Sequence, residues 1–165
     1  MKLRPIGVAD DVGALVEQLA PGFGGETEEA RALLTQTFDL LTRDPRPDPW
    51  GSYLAGEGGE IVGICAFKSV PNEKGEVEIA YMTFPAFERR GHATAIAGAL
   101  TGIAFEAGIP TVIAHTLPEE NASTRALRRN GFSHAGEAID PEDGLVWRWE
   151  NRSEGDSSGR TGLSA

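Results

Sequence analysis

Cysteine is nearly absent from this chain: Cys65 is the only one among 165 residues, so no internal disulfide can form. It lies in an apolar, strand-like run, which favours a buried structural thiol over a reactive one.

Long apolar runs are absent too, and none approaches the ~20 residues of a membrane-spanning helix. The charges among the first twenty positions are not those of a signal peptide. We therefore expect a cytoplasmic protein without a membrane partner.

Positive charge is also scarce, since 15 Lys and Arg residues stand against 25 Asp and Glu residues and the net charge is −10. This balance argues against a nucleic-acid partner. Two short segments nevertheless hold five of the arginines: Arg89, Arg90, Arg125, Arg128 and Arg129. Such clustering in an acidic protein favours a phosphate-rich ligand, and the alternative for Arg128 and Arg129 is a solvated helix face.

No His, Cys, Asp and Glu set has metal-ligand spacing, so we expect no metal.

Apolar periodicity and turn signals predict one mixed α/β domain over residues 1–150. The predicted element order is β-α-α-β-β-β-α-β-α-β-β. Its central part is a strand over 76–83, a helix over 91–107 and a β-branched strand over 111–117. The Ser- and Gly-rich residues 151–165 hold almost no large apolar side chain, so we expect a disordered tail there.

A short basic turn joins that strand to that helix, and residues 84–95 read FPAFERRGHATA. A turn that opens a helix directs several backbone N–H groups at one point, where the helix dipole adds positive potential. Such a turn suits a pyrophosphate. It is neither a Gly-x-x-x-x-Gly-Lys-Ser/Thr loop nor a Gly-x-Gly-x-x-Gly fingerprint.

The turn resembles the acyl-CoA loop of the GNAT superfamily of N-acetyltransferases, usually Arg/Gln-x-x-Gly-x-Gly/Ala. Residues 114–132 read AHTLPEENASTRALRRNGF and resemble the strand, Asn-capped helix and closing Gly-Phe found downstream in that family. The Glu-x-x-Tyr from Glu78 to Tyr81 is similar to the ribosomal-protein-type branch. The resemblance implies a twisted mixed sheet flanked by helices, with a splay between the two central strands.

The same resemblance implies acetyl-CoA as cosubstrate. We expect its pyrophosphate on the backbone of six residues: Arg89, Arg90, Gly91, His92, Ala93 and Thr94. Glu88 departs from the family's Arg or Gln and weakens that one contact. In GNAT proteins the preceding strand end bulges, so the backbone of Tyr81, Met82 and Thr83 would pair with the pantetheine amides. Asn121 would contact the pantetheine or simply cap its helix.

The implied reaction is attack of an amine on a thioester, and the amine must be neutral. A Lys-like amine of pKa about 10.4 is neutral roughly once in 2500 at pH 7, which costs ~4.6 kcal/mol, whereas an α-amine costs only ~1 kcal/mol. A base therefore matters most for a Lys-like acceptor. Glu78 and His115 are the two candidates, acting directly or through water.

Leu127 stands where many members of the family carry a Tyr acid, so that hydroxyl is missing. Ser123 is the available hydroxyl for the leaving thiolate, and His92 is expected to pack near the cofactor. We expect an acetyl-CoA-dependent N-acetyltransferase for a primary amine, either a protein N-terminus or a small molecule. The rival is a non-catalytic acyl-CoA-binding module. The acceptor, the use of other acyl groups, and whether the protein is a monomer or a homodimer stay open.

Overall fold

The computed structural model describes residues 1–153. The helices and strands are β1 Lys2–Pro5, α1 Val12–Leu19, α2 Thr27–Arg43, β2 Ser52–Glu57, β3 Glu60–Phe67, β4 Glu76–Thr83, α3 His92–Glu106, β5 Thr111–Thr116, α4 Ala122–Arg129, β6 Ser133–Asp140 and β7 Gly144–Arg152. Short 3₁₀ turns lie before α2 and before α3. The predicted order of elements is confirmed. None of the helices in this part of the chain is both long and apolar enough to cross a bilayer.

The strands form one seven-stranded sheet in the order β1-β2-β3-β4-β5-β7-β6. Only the central β4–β5 pair is parallel among these, because α3 provides the crossover that a parallel pair requires. The β4–β5 ladder runs from Glu76 opposite Thr111 to Glu78 opposite Ile113. Past Glu78 the two strands separate, although β4 continues to Thr83. This separation confirms the predicted splay.

The predicted bulge at the end of β4 is wrong. The β3–β4 register runs without a shift from Phe67 opposite Ile79 to Gly63 opposite Thr83. Backbone groups near the end of β4 are instead open on the side that β5 has left. Gly63 lets the strands approach closely, because a Cβ there would collide with the Met82 carbonyl oxygen. The splay, rather than a bulge, therefore frees this edge.

Helix α3 packs its small and aliphatic face on the sheet. Ile96, Ala97, Leu100 and Ala104 are fully buried there, as the spacing in the sequence predicts. Burying a Leu or Ile side chain contributes about 1.5–3 kcal/mol, so this face fixes the direction of the helix. The N-terminus of α3 consequently lies beside the open end of β4.

Cys65 is buried in β3, and burial raises the pKa of its thiol to about 12. A thiol that stays protonated at neutral pH is a poor nucleophile. The predicted structural role of this cysteine is therefore confirmed by its surroundings.

Strand β7 extends beyond the predicted domain end at residue 150. Asn151 pairs with Val112 and its Nδ2 donates to the Asn130 carbonyl oxygen at 2.8 Å. Ser153 N donates to the Pro110 carbonyl oxygen at 3.0 Å. Composition alone misses this extension because backbone pairing with β5, not apolar side chains, holds these residues. The rest of the predicted tail, residues 154–165, lies outside the described part of the chain.

Candidate active site

The splay between β4 and β5 opens into a cavity of about 340 Å³, which we call the splay cavity. It is lined by both candidate bases and by polar side chains from other elements, among them Glu78, Tyr81, His115, Ser123, Asp140 and Asp143. A second cavity of about 710 Å³, the loop cavity, lies at the N-terminus of α3. The two cavities share Tyr81 and Ser123. Two ligands could therefore meet at these two residues.

The loop cavity collects most of the residues predicted to bind the cofactor. They come from the end of β4 and from the basic turn, and comprise Tyr81, Met82, Thr83, Arg89, Gly91, His92, Ala93 and Thr94. Two predicted residues, Arg90 and Asn121, are not among the residues that line it. The guanidinium of Arg90 lies over the Phe87 ring, 5.7 Å from its centroid, and Asn121 lines the splay cavity instead.

The turn before α3 has the geometry of an anion site. Gly91 is the N-cap residue with φ 82°, and Arg89 also has a positive φ of 65°. Within residues 1–153 no side chain caps this helix, so its first-turn N–H groups are available as donors. Arg125 and Arg129 of α4 face the same cavity. The combination of open N–H groups, helix dipole and guanidinium groups suits a phosphate.

Thr83 lines this cavity and carries a polar atom without a partner in residues 1–153. Its Oγ1 is buried and makes no hydrogen bond within these residues. Buried polar atoms are normally paired, so this hydroxyl is an exception in the part of the chain that the structure describes. It lies at the open end of β4, where the splay has removed the neighbouring strand.

The two candidate bases form one hydrogen-bonded pair. His115 Nδ1 lies 2.9 Å from Glu78 Oε2, and each side chain is 20% exposed. Glu78 is opposite Ile113 in the last pair of the β4–β5 ladder, so His115, two residues further on, projects from the same face. A carboxylate only accepts, so His115 donates through Nδ1 and leaves Nε2 as an acceptor. The His115 side chain has no other hydrogen-bond partner among the residues described.

The same cavity is also lined by carboxylates that the sequence analysis did not single out. Asp140 and Asp143 belong to the turn between β6 and β7 and line the splay cavity. Backbone N–H groups of Asp143 and Glu142 hold the pKa of the Asp140 carboxyl below its usual value. Lys68 lies 3.5 Å from Glu78 and offsets part of the negative charge. The splay cavity is thus mainly acidic, whereas the loop cavity is rich in arginine.

Ser123 lies in the first turn of α4 and lines both cavities. Its carbonyl oxygen accepts a hydrogen bond from Tyr81 Oη at 3.4 Å. His92 packs its ring against Phe87, with centroids 6.4 Å apart, and it lines the loop cavity. Its packing near the cofactor stays a prediction. Leu127, at the position of the missing Tyr acid, is fully buried.

Asn121 caps α4 through a reciprocal pair of hydrogen bonds. Its Oδ1 accepts from Thr124 N at 3.0 Å, and its own N–H donates to Thr124 Oγ1 at 2.9 Å. The predicted cap is confirmed. Contact with a pantetheine group stays a prediction, because the cap alone accounts for an asparagine here.

Replacing Asn121 by Ala is expected to lower the free energy of unfolding by about 1 kcal/mol, because the cap is lost. Urea denaturation measures this. Asn121→Ser is the matched control, since serine also caps, and it should keep most of the stability. A weaker affinity for acetyl-CoA in the Ser variant would show that the asparagine side chain has a role beyond the cap.

Comparison with known proteins agrees with this geometry. The family model for the acetyltransferase (GNAT) domain matches residues 1–133. The RimL ribosomal L7/L12 alpha-N-protein acetyltransferase, solved with coenzyme A, is similar with a TM-score of 0.65 and 21% identity, covering 93% of this chain and 94% of that one. A comparable match is the Salmonella typhimurium acetyl transferase that modifies the N-terminal serine of L7/L12, with a TM-score of 0.64, 18% identity and coverage of 92% and 94%.

The aminoglycoside acetyltransferase AAC(6')-Ib, solved with ribostamycin and coenzyme A, is similar with a TM-score of 0.70 and 18% identity. The match covers 96% of this chain and 97% of that chain. Comparison with curated proteins finds no match. At these identities, the likeness to solved structures shows a shared fold.

Proposed function

The chain belongs to the GNAT acetyltransferase family, whose members are acyltransferases, and we propose that it transfers the acetyl group of acetyl-CoA to a primary amine at the Glu78–His115 pair. The observation that carries this proposal is the meeting of two cavities of opposite charge at Tyr81 and Ser123. The arginine-rich loop cavity suits the phosphates, and the acidic splay cavity suits a cationic amine. The acceptor is a protein N-terminus or a small-molecule amine.

The loop cavity is assigned to acetyl-CoA. The pyrophosphate would accept from the first-turn N–H groups of α3, with Arg125 and Arg129 nearby. The pantetheine amides would pair with the backbone at the open edge of β4, at residues 81–83, beyond the last β4–β5 pair at Glu78 and Ile113. Residues 81–83 and Glu78 belong to the same strand, so the cofactor bound along this edge would point its thioester towards Glu78, where the amine would bind.

The acid–base role is assigned to His115, with Glu78 orienting it. Nε2 of His115 would take a proton from the nitrogen of the neutral amine as that nitrogen bonds to the thioester carbonyl carbon. Glu78, at 2.9 Å from Nδ1, would fix the tautomer and stabilise the imidazolium that forms. Positioning of the amine against the thioester would provide the rest of the acceleration.

Thiol release from acetyl-CoA in the presence of a panel of amines tests the proposal. The panel contains short peptides with different N-terminal residues, a polyamine and an aminoglycoside, because relatives of this fold are named for such acceptors. We expect turnover with at least one class. Acetyl-CoA binding in calorimetry without thiol release for any amine would support the rival, a non-catalytic acyl-CoA-binding module.

A further inference from the structure

Tyr81 occupies the junction of the spaces around the open end of β4. It lines the splay cavity and the loop cavity, and it also lines a mostly apolar groove between α2 and the sheet. Its hydroxyl hydrogen-bonds to the Ser123 carbonyl oxygen at 3.4 Å, which is long for an O–H···O bond. A donor held this loosely can turn to a better acceptor when one arrives.

The chemistry of this hydroxyl is set by its surroundings. Burial raises the pKa of the Tyr81 phenol well above its usual value of about 10. The phenol therefore keeps its proton at any pH at which the enzyme works. Full proton transfer to a thiolate, whose thiol has a pKa near 8.5, would run uphill. Tyr81 is thus suited to donate a hydrogen bond and unsuited to act as a general acid.

We propose that Tyr81 is a catalytic residue whose hydroxyl donates a hydrogen bond to the thioester as negative charge develops on it. This inference rests on the proposed function. The amine nitrogen bonds to the carbonyl carbon and its proton passes to His115. The carbon–sulfur bond then breaks with the electron pair on sulfur, the thiolate takes a proton from water, and His115 gives its proton to the hydroxide left behind. Tyr81 keeps its own proton throughout.

Two features of the site favour this role. The thioester must lie where both ligands meet, and Tyr81 and Ser123 are the two residues shared by both cavities. Leu127 is buried and apolar, so no hydroxyl comes from the position where the family usually carries a tyrosine. Tyr81 would supply a hydroxyl from β4 instead. Removing one hydrogen-bond donor to the developing negative charge typically costs 10²–10³-fold in kcat.

The competing role is structural, because the same hydrogen bond joins β4 to the first turn of α4. If the hydrogen bond were only structural, its loss would lower the stability of the fold or the affinity for the cofactor. The chain offers a matched control in its only other tyrosine. Tyr53 Oη donates to the Pro49 carbonyl oxygen at 2.6 Å, and Tyr53 lines none of these cavities.

Tyr81→Phe is expected to lower kcat by about 10²-fold while leaving the acetyl-CoA Kd and the Tm close to those of the wild type. Tyr53→Phe should do the opposite: lower Tm with unchanged kcat. Ser123→Ala should cost less than Tyr81→Phe, because the thiolate is already a good leaving group. Wild-type kcat in Tyr81→Phe, or a loss confined to Kd or Tm, would overturn the inference.

A pH profile separates the roles further. In the Tyr53→Phe background, tetrafluorotyrosine replaces the remaining tyrosine and lowers the phenol pKa. We expect a new fall in kcat on the alkaline side, where the phenol ionises and stops donating. An unchanged profile would contradict the role of the hydroxyl. Absence of turnover by the wild type with every amine would instead refute the proposed function and, with it, this role.

Discussion

Replacing His115 by Gln is expected to lower kcat by about 10²–10⁴-fold on a Lys-like amine at pH 7, the range typical of general-base catalysis. Gln keeps much of the shape of the ring but removes the Nε2 acceptor. Thiol release under saturating acetyl-CoA measures the effect. The loss should shrink for an α-amine, whose deprotonation costs roughly 3–4 kcal/mol less than that of a Lys-like amine.

Glu78→Gln distinguishes the two members of the pair. The Gln carbonyl oxygen can still accept from His115 Nδ1, but the negative charge that stabilises the imidazolium is gone. We therefore expect a smaller loss than in His115→Gln if His115 is the base. A larger loss in Glu78→Gln would make the carboxylate itself the proton acceptor and would contradict the assignment of His115.

Matched controls lie close in the fold. Glu76 is on the same strand and the same face as Glu78 and pairs with Arg148 at 3.1 Å, outside the splay cavity. His134 stacks against Trp147 at 4.7 Å and lines neither cavity. Glu76→Gln and His134→Gln should keep wild-type turnover. Near-wild-type turnover in both pair variants as well would leave bulk water as the acceptor.

The contact between Glu78 and His115 could not be predicted from the sequence. Glu78 and His115 could each be named from their strands, yet they are 37 positions apart and remained alternatives. What joins them is the parallel register of β4 and β5, which places Ile113 opposite Glu78. That register depends on how α3 packs across the sheet, and local patterns carry no record of it.

For the other parts of the site, too, features set by local sequence were predictable and features set by tertiary packing were not. The basic turn and the start of α3 were predictable because a glycine before an apolar helical period is a local signal. Asp140 and Asp143 were missed because they line the splay cavity only through the tertiary position of the β6–β7 turn. The bulge expected in β4 came from the family rather than from the residues, and here the splay opens the strand edge instead.

Gly91→Glu is expected to weaken acetyl-CoA binding by more than roughly 10²-fold. A carboxylate about 6 Å from a phosphate charge costs about 3 kcal/mol at an effective dielectric constant near 20. The new side chain would also compete for the first-turn N–H groups of α3 that the phosphate needs. A Cβ at this position meets no atom of residues 1–153 within 4 Å, so the described fold has room for it.

Backbone strain must be separated from charge, because Gly91 has φ 82° and an L residue there is strained. Gly91→Gln carries the same strain and nearly the same volume without the charge. Both variants should therefore lose a similar amount of Tm, whereas calorimetry should show a much larger loss of acetyl-CoA affinity for Glu than for Gln. Equal acetyl-CoA affinities in the folded Glu and Gln variants would show that charge at this position does not affect binding. Wild-type affinity in both would place the pyrophosphate elsewhere, because a site that uses the α3 N-terminus cannot ignore a carboxylate at its N-cap.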